Sequence, residues 1–143
     1  MGKIDVKLEK FWDIFINNNG YSKVLEGLQN TLKIAILGLL IGILIGTVIA
    51  TIRVLPKYKT LPKVLNGICS FYVGLFRGTP VVVQLLVGYF VILPLFGAHV
   101  TSVNVCIVIF GLNSAAYVSE IMRGGICSVD PGQMEGGRSV GLS

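Results

Sequence analysis

Leu28 to Ile52 reads LQNTLKIAILGLLIGILIGTVIATI, and Lys33 is its only charge. A bilayer core is crossed by roughly 20 mostly apolar residues in helical form. This stretch supplies them. Lys33 lies near one end, where its aliphatic stem lets the ammonium reach the headgroups. Within the run, Gly38, Gly42, Gly46 and Ala50 recur at every fourth position and form one stripe. Burial in lipid gives no hydrophobic gain to helix pairing, so close backbone approach must supply the attraction. The stripe therefore predicts tight packing. Its partner is either another helix of this chain or a second copy in a glycine-zipper oligomer.

The rest of the chain reads the same way. Of its 143 residues, 53% are hydrophobic and 13% charged, against about 25% charged in a soluble domain. The net charge is +5. The basic residues fall between apolar runs rather than on one face, which suits a membrane surface and argues against nucleic acid. A second run covers Val81 to Phe96, led in by the mixed stretch Val64 to Phe76. A third covers Val103 to Met122. The expected fold is an all-α membrane protein with three transmembrane helices, at about 28–53, 64–96 and 103–122.

Charge sets the expected orientation. Arg53, Lys57, Lys59 and Lys63 lie between the first two runs with no acid among them, whereas Gly97 to Ser102 holds no Lys or Arg. The positive-inside rule puts the first loop in the cytoplasm. The N-terminus and the second loop are then outside, and everything after Met122 is inside. Residues 1–20 form an extracytoplasmic segment. From Val6 to Asn17 it is amphipathic, with Phe11, Ile14 and Phe15 on one helical side, as in a helix lying on a membrane surface. Its mixed Lys and acidic residues, and the late start of the apolar run, exclude a cleavable signal.

Phe76-Arg77-Gly78-Thr79-Pro80 interrupts the second run. Pro80 has no amide proton and its ring crowds the preceding turn, so the helix is expected to break or kink at 78–80. Arg77 is either a snorkelling anchor or a hinge residue holding backbone carbonyls or a partner's acid. In the third run Asn113, Tyr117, Glu120 and Gly124 share one helical face. Glu120 is costly in a bilayer unless paired, and Arg123 lies three residues on. The face is read either as an interfacial ion pair with interhelical polar contacts or as the lining of a transport pathway.

After Met122, Gly124 to Gly132 reads as a turn-rich stretch. Asp130 as N-cap and Pro131 at the first position then start a short polar helix, expected to lack a cap behind it. So short a helix is not stable alone in water and needs a docking surface. Cys69, Cys106 and Cys127 are isolated and read as small apolar residues; His99 is the only histidine. No metal, no cofactor and no catalytic residue is expected. Without a GxxxxGK[ST] loop, ATP would have to bind a partner.

Two stretches carry a resemblance. Phe76-Arg77-Gly78-Thr79-Pro80 followed by Val82, Gln84 and Leu85 is one. Ala116 to Ile126, followed by Ser128-Val129 and Gly132-Gln133-Met134-Glu135, is the other. Together they resemble the polar amino acid ABC importer permeases, the histidine/glutamine-type inner-membrane subunits of binding-protein-dependent systems, from about Tyr21 onward. The resemblance implies a permease domain over 21–143 within a normally five-helix fold, N-terminus outside, in the bacterial cytoplasmic membrane. It implies an ABC ATPase subunit, an extracytoplasmic solute-binding protein and a second permease subunit, in a homo- or heterodimer. It also makes 123–143 a coupling loop for the ATPase. There Gly132 and Gln133 lead into Glu135-Gly136-Gly137-Arg138-Ser139-Val140-Gly141, the equivalent of the family's Glu-Ala-Ala motif and its following Gly. Gly136 and Gly137 replace alanines, each at about 1 kcal/mol of helix propensity. The chain ends just after this motif, so the expectation is an amino-terminal fragment of a permease. A glycine-zipper oligomer and a non-functional permease fragment are the alternatives.

Overall fold

A computed structural model describes residues 3–17, 19–56, 60–95 and 100–142. Lys57 and Lys59 of the positive loop, and Gly97 and His99 of the second loop, lie outside the described residues. Among the described residues every regular element is helical.

The first helix, α1 (Lys3–Trp12), runs into a wide π-helical turn at Asp13–Asn17. Phe11 stacks on Phe15 with ring centroids 5.5 Å apart and 10° between planes. Asn19 then adopts a left-handed conformation (φ 53°), which asparagine tolerates better than most residues. Gly20 follows because a Cβ there would lie 2.6 Å from the Ile14 carbonyl oxygen.

From this corner rises α2 (Gly20–Val54). At 1.5 Å per residue it is about 50 Å long, longer than a hydrocarbon core of about 30 Å. It stops where Pro56 forces Leu55 into an extended conformation (ψ 141°). Next come α3 (Thr60–Gly78) and α4 (Val81–Leu95), which meet at 104° across Thr79 and Pro80. Within α4 the Leu93 amide donates to the Gly88 carbonyl, five residues back, making a π-helical turn at Gly88–Ile92. The longest apolar partner of α2 is α5 (Ser102–Cys127), and a short α6 (Pro131–Ser139) follows.

The core sits between α2 and α5 and is built from small residues. A Cβ on Gly38 would lie 3.4 Å from Phe110 Cβ; on Gly42, 2.6 Å from Ser114 Cβ; on Gly46, 2.9 Å from Val118 Cβ. From the other side, a Cβ on Gly111 would lie 2.8 Å from Ile41 Cγ2. Ala50, Ala115, Ala116 and Ser119 are buried. The glycine stripe therefore meets α5 of the same chain. Toward the C-terminal end of α2, Ile49, Val73 and Ala116 form a cluster with Ile45, Cys69, Tyr72 and Phe76 packed around it. This seats one face of α3. Large side chains elsewhere remain bare, as with Leu44 at 70% and Ile121 at 73% exposure. That outward apolar surface fits lipid rather than water.

Two local expectations are corrected. Gly124 to Cys127, read as turn, continue α5, and the turn is confined to Ser128–Asp130. Extending an existing helix adds one hydrogen bond per residue fixed, which offsets glycine's weak propensity. The end is then held by Ser128, whose amide donates to the Gly124 and Gly125 carbonyls and whose hydroxyl donates to the Gly125 carbonyl. Second, α6 does have a C-terminal cap. Gly141 sits at φ +83°. Its amide donates to Arg138, and the Leu142 amide donates to Gly137 (3.1 and 3.0 Å). This is the Schellman arrangement, in which a left-handed glycine lets the chain turn back onto the last free carbonyls.

Candidate functional site: a polar seam along α5

The break before Pro80 leaves a backbone problem. In a continuous helix residue 80 would donate to the Phe76 carbonyl, and proline cannot. An unpaired carbonyl in an apolar setting is costly. Gln84, one turn into α4, addresses it: its Nε2 donates to the Phe76 carbonyl (2.8 Å), the Thr79 carbonyl (3.0 Å) and the Thr79 hydroxyl (2.8 Å). From α5, Asn113 Nδ2 donates to the same Phe76 carbonyl (3.3 Å) and to Gln84 Oε1 (3.1 Å). Tyr72 adds a third tie, its hydroxyl donating to the Leu112 carbonyl at 2.6 Å. The break is thus a fixed corner, clamped to α5 by side-chain amides. A Cβ on Gly78 would meet nothing within 4 Å, so its space is open.

One turn further along α5, Arg77 lies over the Tyr117 ring, 5.3 Å from its centroid, within cation–π range. Beyond it Glu120 gathers three guanidinium groups. Arg53, from the last turn of α2, pairs with its Oε1. Arg123 reaches Oε2 at 3.0 Å, and Arg77 stands 3.8 Å from the same oxygen. The Glu120 side chain is 18% exposed and that of Arg53 13%, against 44% for Arg77 and 38% for Arg123. Arg53 Nε is buried and has no hydrogen-bond partner among the described residues. One carboxylate therefore ties the ends of α2 and α3 to α5.

Asn113, Tyr117, Glu120 and Arg123 thus form one seam that also takes in Arg77 and Thr79. Gly124 stands apart from it, with nothing within 4 Å of a Cβ there. Two members were missed as site residues: Arg53, read as a loop charge, and Gln84, quoted only within a motif. For Gln84 a signal exists, since an amide just after a mid-helix proline is placed to serve the orphaned carbonyl. For Arg53, 67 residues from its partner, there is none.

The residues expected to form a coupling loop lie elsewhere. Asp130 caps α6, its Oδ1 accepting from the Gly132 amide at 2.8 Å. Gln133, Glu135 and Gly136 are exposed, and no residue of α6 is buried. A Cβ on Gly136 would meet nothing within 4 Å.

Comparison with known proteins places this architecture. No family model matches the chain. The arginine transport system permease protein ArtQ of Bacillus subtilis is 41% identical over 119 residues, covering 83% of this chain and 52% of that protein. A putative glutamine transport system permease protein, GlnP of Rickettsia prowazekii, is 34% identical with the same two coverages. The crystal structure of an amino acid ABC transporter with histidines superposes with a TM-score of 0.74 at 37% identity, over 90% of this chain and 58% of that one. Over the matched stretch the chain is similar to amino-acid ABC transporter permeases. It spans about half the length of the curated relatives it matches. Two of its helices, α2 and α5, are each long and apolar enough to cross a bilayer.

Proposed function

We propose that this chain supplies the membrane-spanning part of a permease subunit in an ATP-driven, binding-protein-dependent importer of polar amino acids. The observation that carries the reading is the pairing of a tightly packed two-helix core with a separate, capped and fully displayed helix at its end. A helix as short as α6 does not persist by propensity alone, and it carries three glycines. Its polar surface and double capping suit a handle that docks into another protein. We assign that protein as an ABC ATPase subunit, because the chain has no phosphate loop of its own. ATP hydrolysis then belongs to the partner, and the permease is not an enzyme.

The orientation follows from where the cations gather. Arg53, Arg77 and Arg123 come from three separate helices and meet at one end of the bundle. Taken as the cytoplasmic end, this has α2 crossing inward, α4 crossing outward from the break and α5 returning inward to α6. The N-terminal α1 is then outside, where a solute-binding protein would dock, and α3 enters the second crossing along the inner face. Movement of α6 by the ATPase reaches Glu120 along α5, and from there the ends of α2 and α3. A second permease subunit completes the dimer.

The test is photo-crosslinking from position 134, the exposed Met134 of α6, in membranes that also hold the ATPase of a related arginine system. A crosslink to the ATPase whose yield changes with ATP is expected. Normal membrane insertion with no crosslink would count against the assignment.

A further inference from the structure

The charges around Glu120 do not balance. Three guanidinium groups share one carboxylate, leaving two positive charges at one end of the bundle. Arg53 Nη1 takes one carboxylate oxygen; Arg123 Nε (3.3 Å) and Nη2 (3.0 Å) take the other. Arg77, at 3.8 Å, is beyond hydrogen-bond reach and keeps only its ring contact and a weak ion pair. Arg53 Nε is a buried donor with no acceptor among the described residues. Arg77 and Arg123 are the more open members, at 44% and 38% exposure. The helices that carry them also display exposed apolar side chains, Phe71 at 72%, Leu75 and Ile121 among them.

We infer that this cluster is a binding site for the phosphate group of an anionic phospholipid. The headgroup phosphate accepts from Arg77 and Arg123 and offsets one of the two surplus positive charges, and the acyl chains lie among the exposed apolar side chains of the bundle. Guanidinium groups suit this role because their fixed fork pairs with two phosphate oxygens at once. Anionic lipid is enriched in the cytoplasmic leaflet and attracts Lys and Arg at the membrane surface. The inference rests on the proposed reading that this end of the bundle is cytoplasmic. A protein carboxylate at the same place would leave the exposed apolar surface of the bundle uncovered.

The test is native mass spectrometry of the full chain, delipidated in mild detergent and titrated with phosphatidylglycerol or phosphatidylcholine. One phosphatidylglycerol per chain is expected, favoured over phosphatidylcholine. In Arg77→Gln/Arg123→Gln the preference falls by roughly tenfold, the loss of two surface cations facing an anionic leaflet. In Lys63→Gln, exposed on α3 but outside the cluster, it is unchanged. Equal binding of the two lipids by the wild-type chain overturns the inference without need of any variant. So does displacement of phosphatidylglycerol by inorganic phosphate as effectively as by added lipid, which would mark a free-anion site. Orientation is read separately by thiol labelling, so an inward-facing Cys127 with no lipid preference refutes the lipid site alone.

Discussion

Gly42→Ala separates two opposing effects within one helix. In an open helical site alanine is favoured over glycine by about 1 kcal/mol. At position 42 the added Cβ would sit 2.6 Å from Ser114 Cβ and 3.3 Å from the Ala115 nitrogen. Carbon atoms pack at about 3.5–4.0 Å, so α2 and α5 must separate by roughly 1 Å. Overpacking of this kind costs about 1–3 kcal/mol. The cost exceeds the propensity gain, and Gly42→Ala is expected to destabilise by up to about 2 kcal/mol. Gly27→Ala, in the same helix with nothing within 4 Å, has only the gain and is expected to stabilise. Ser114→Gly removes the clashing atom, so the pair Gly42→Ala/Ser114→Gly should recover most of the loss and show a coupling of about 1 kcal/mol, as contacting residues do. The readout is maleimide labelling of Cys69, which packs against the Ile49 cluster, as SDS is raised against mild detergent with Cys106 and Cys127 replaced by alanine. If Gly42→Ala resists SDS as well as Gly27→Ala, the close approach of α2 to α5 is wrong.

Three further outcomes follow from the seam. Gln84→Leu and Asn113→Leu are expected to destabilise in the same assay and to couple by about 0.6 kcal/mol, up to about 1.7, the range for interhelical hydrogen bonds in membranes; strict additivity would deny their contact. Arg53→Gln is expected to lower the SDS midpoint more than Arg123→Gln, because Arg53 is the more buried partner of Glu120 and its loss frees the end of α2; the reverse order would mean that the local pair dominates. A membrane-impermeant maleimide is expected to label Cys127, exposed at the end of α5, only after the cells are opened, with Cys69 and Cys106 replaced. Labelling of intact cells would invert the proposed orientation.

The fold was legible wherever one helix states its own requirements. The four-residue spacing of Gly38, Gly42 and Gly46 announces close packing, and Pro80 announces a break. Spacing does not name the partner: a glycine stripe looks the same whether it meets α5 or a second copy, and only the register of Gly111 and Ser114 against it decides. Glu120 was legible as an acid in need of a cation, and Arg123 as the neighbour within reach. Arg53 was not, because its approach depends on where α2 ends; Arg77 was read as an anchor or as the holder of an acid, and which acid it meets depends on how sharply α3 turns into α4. The glycines at 124 and 125 misled, since their turn preference is a local tendency that a long, already formed helix overrides. Gly141 was read as part of a motif, and its left-handed φ supplies the physical reason for a glycine there.

The most direct test of the account joins this chain to the part of the Bacillus subtilis arginine permease that follows the aligned stretch, in membranes with the ATPase and binding protein of that system. The account predicts uptake that depends on ATP and on the binding protein, and that fails when the Glu120 hub is removed by Glu120→Ala while insertion is kept. A chimera that inserts and assembles normally yet carries no amino acid would contradict it.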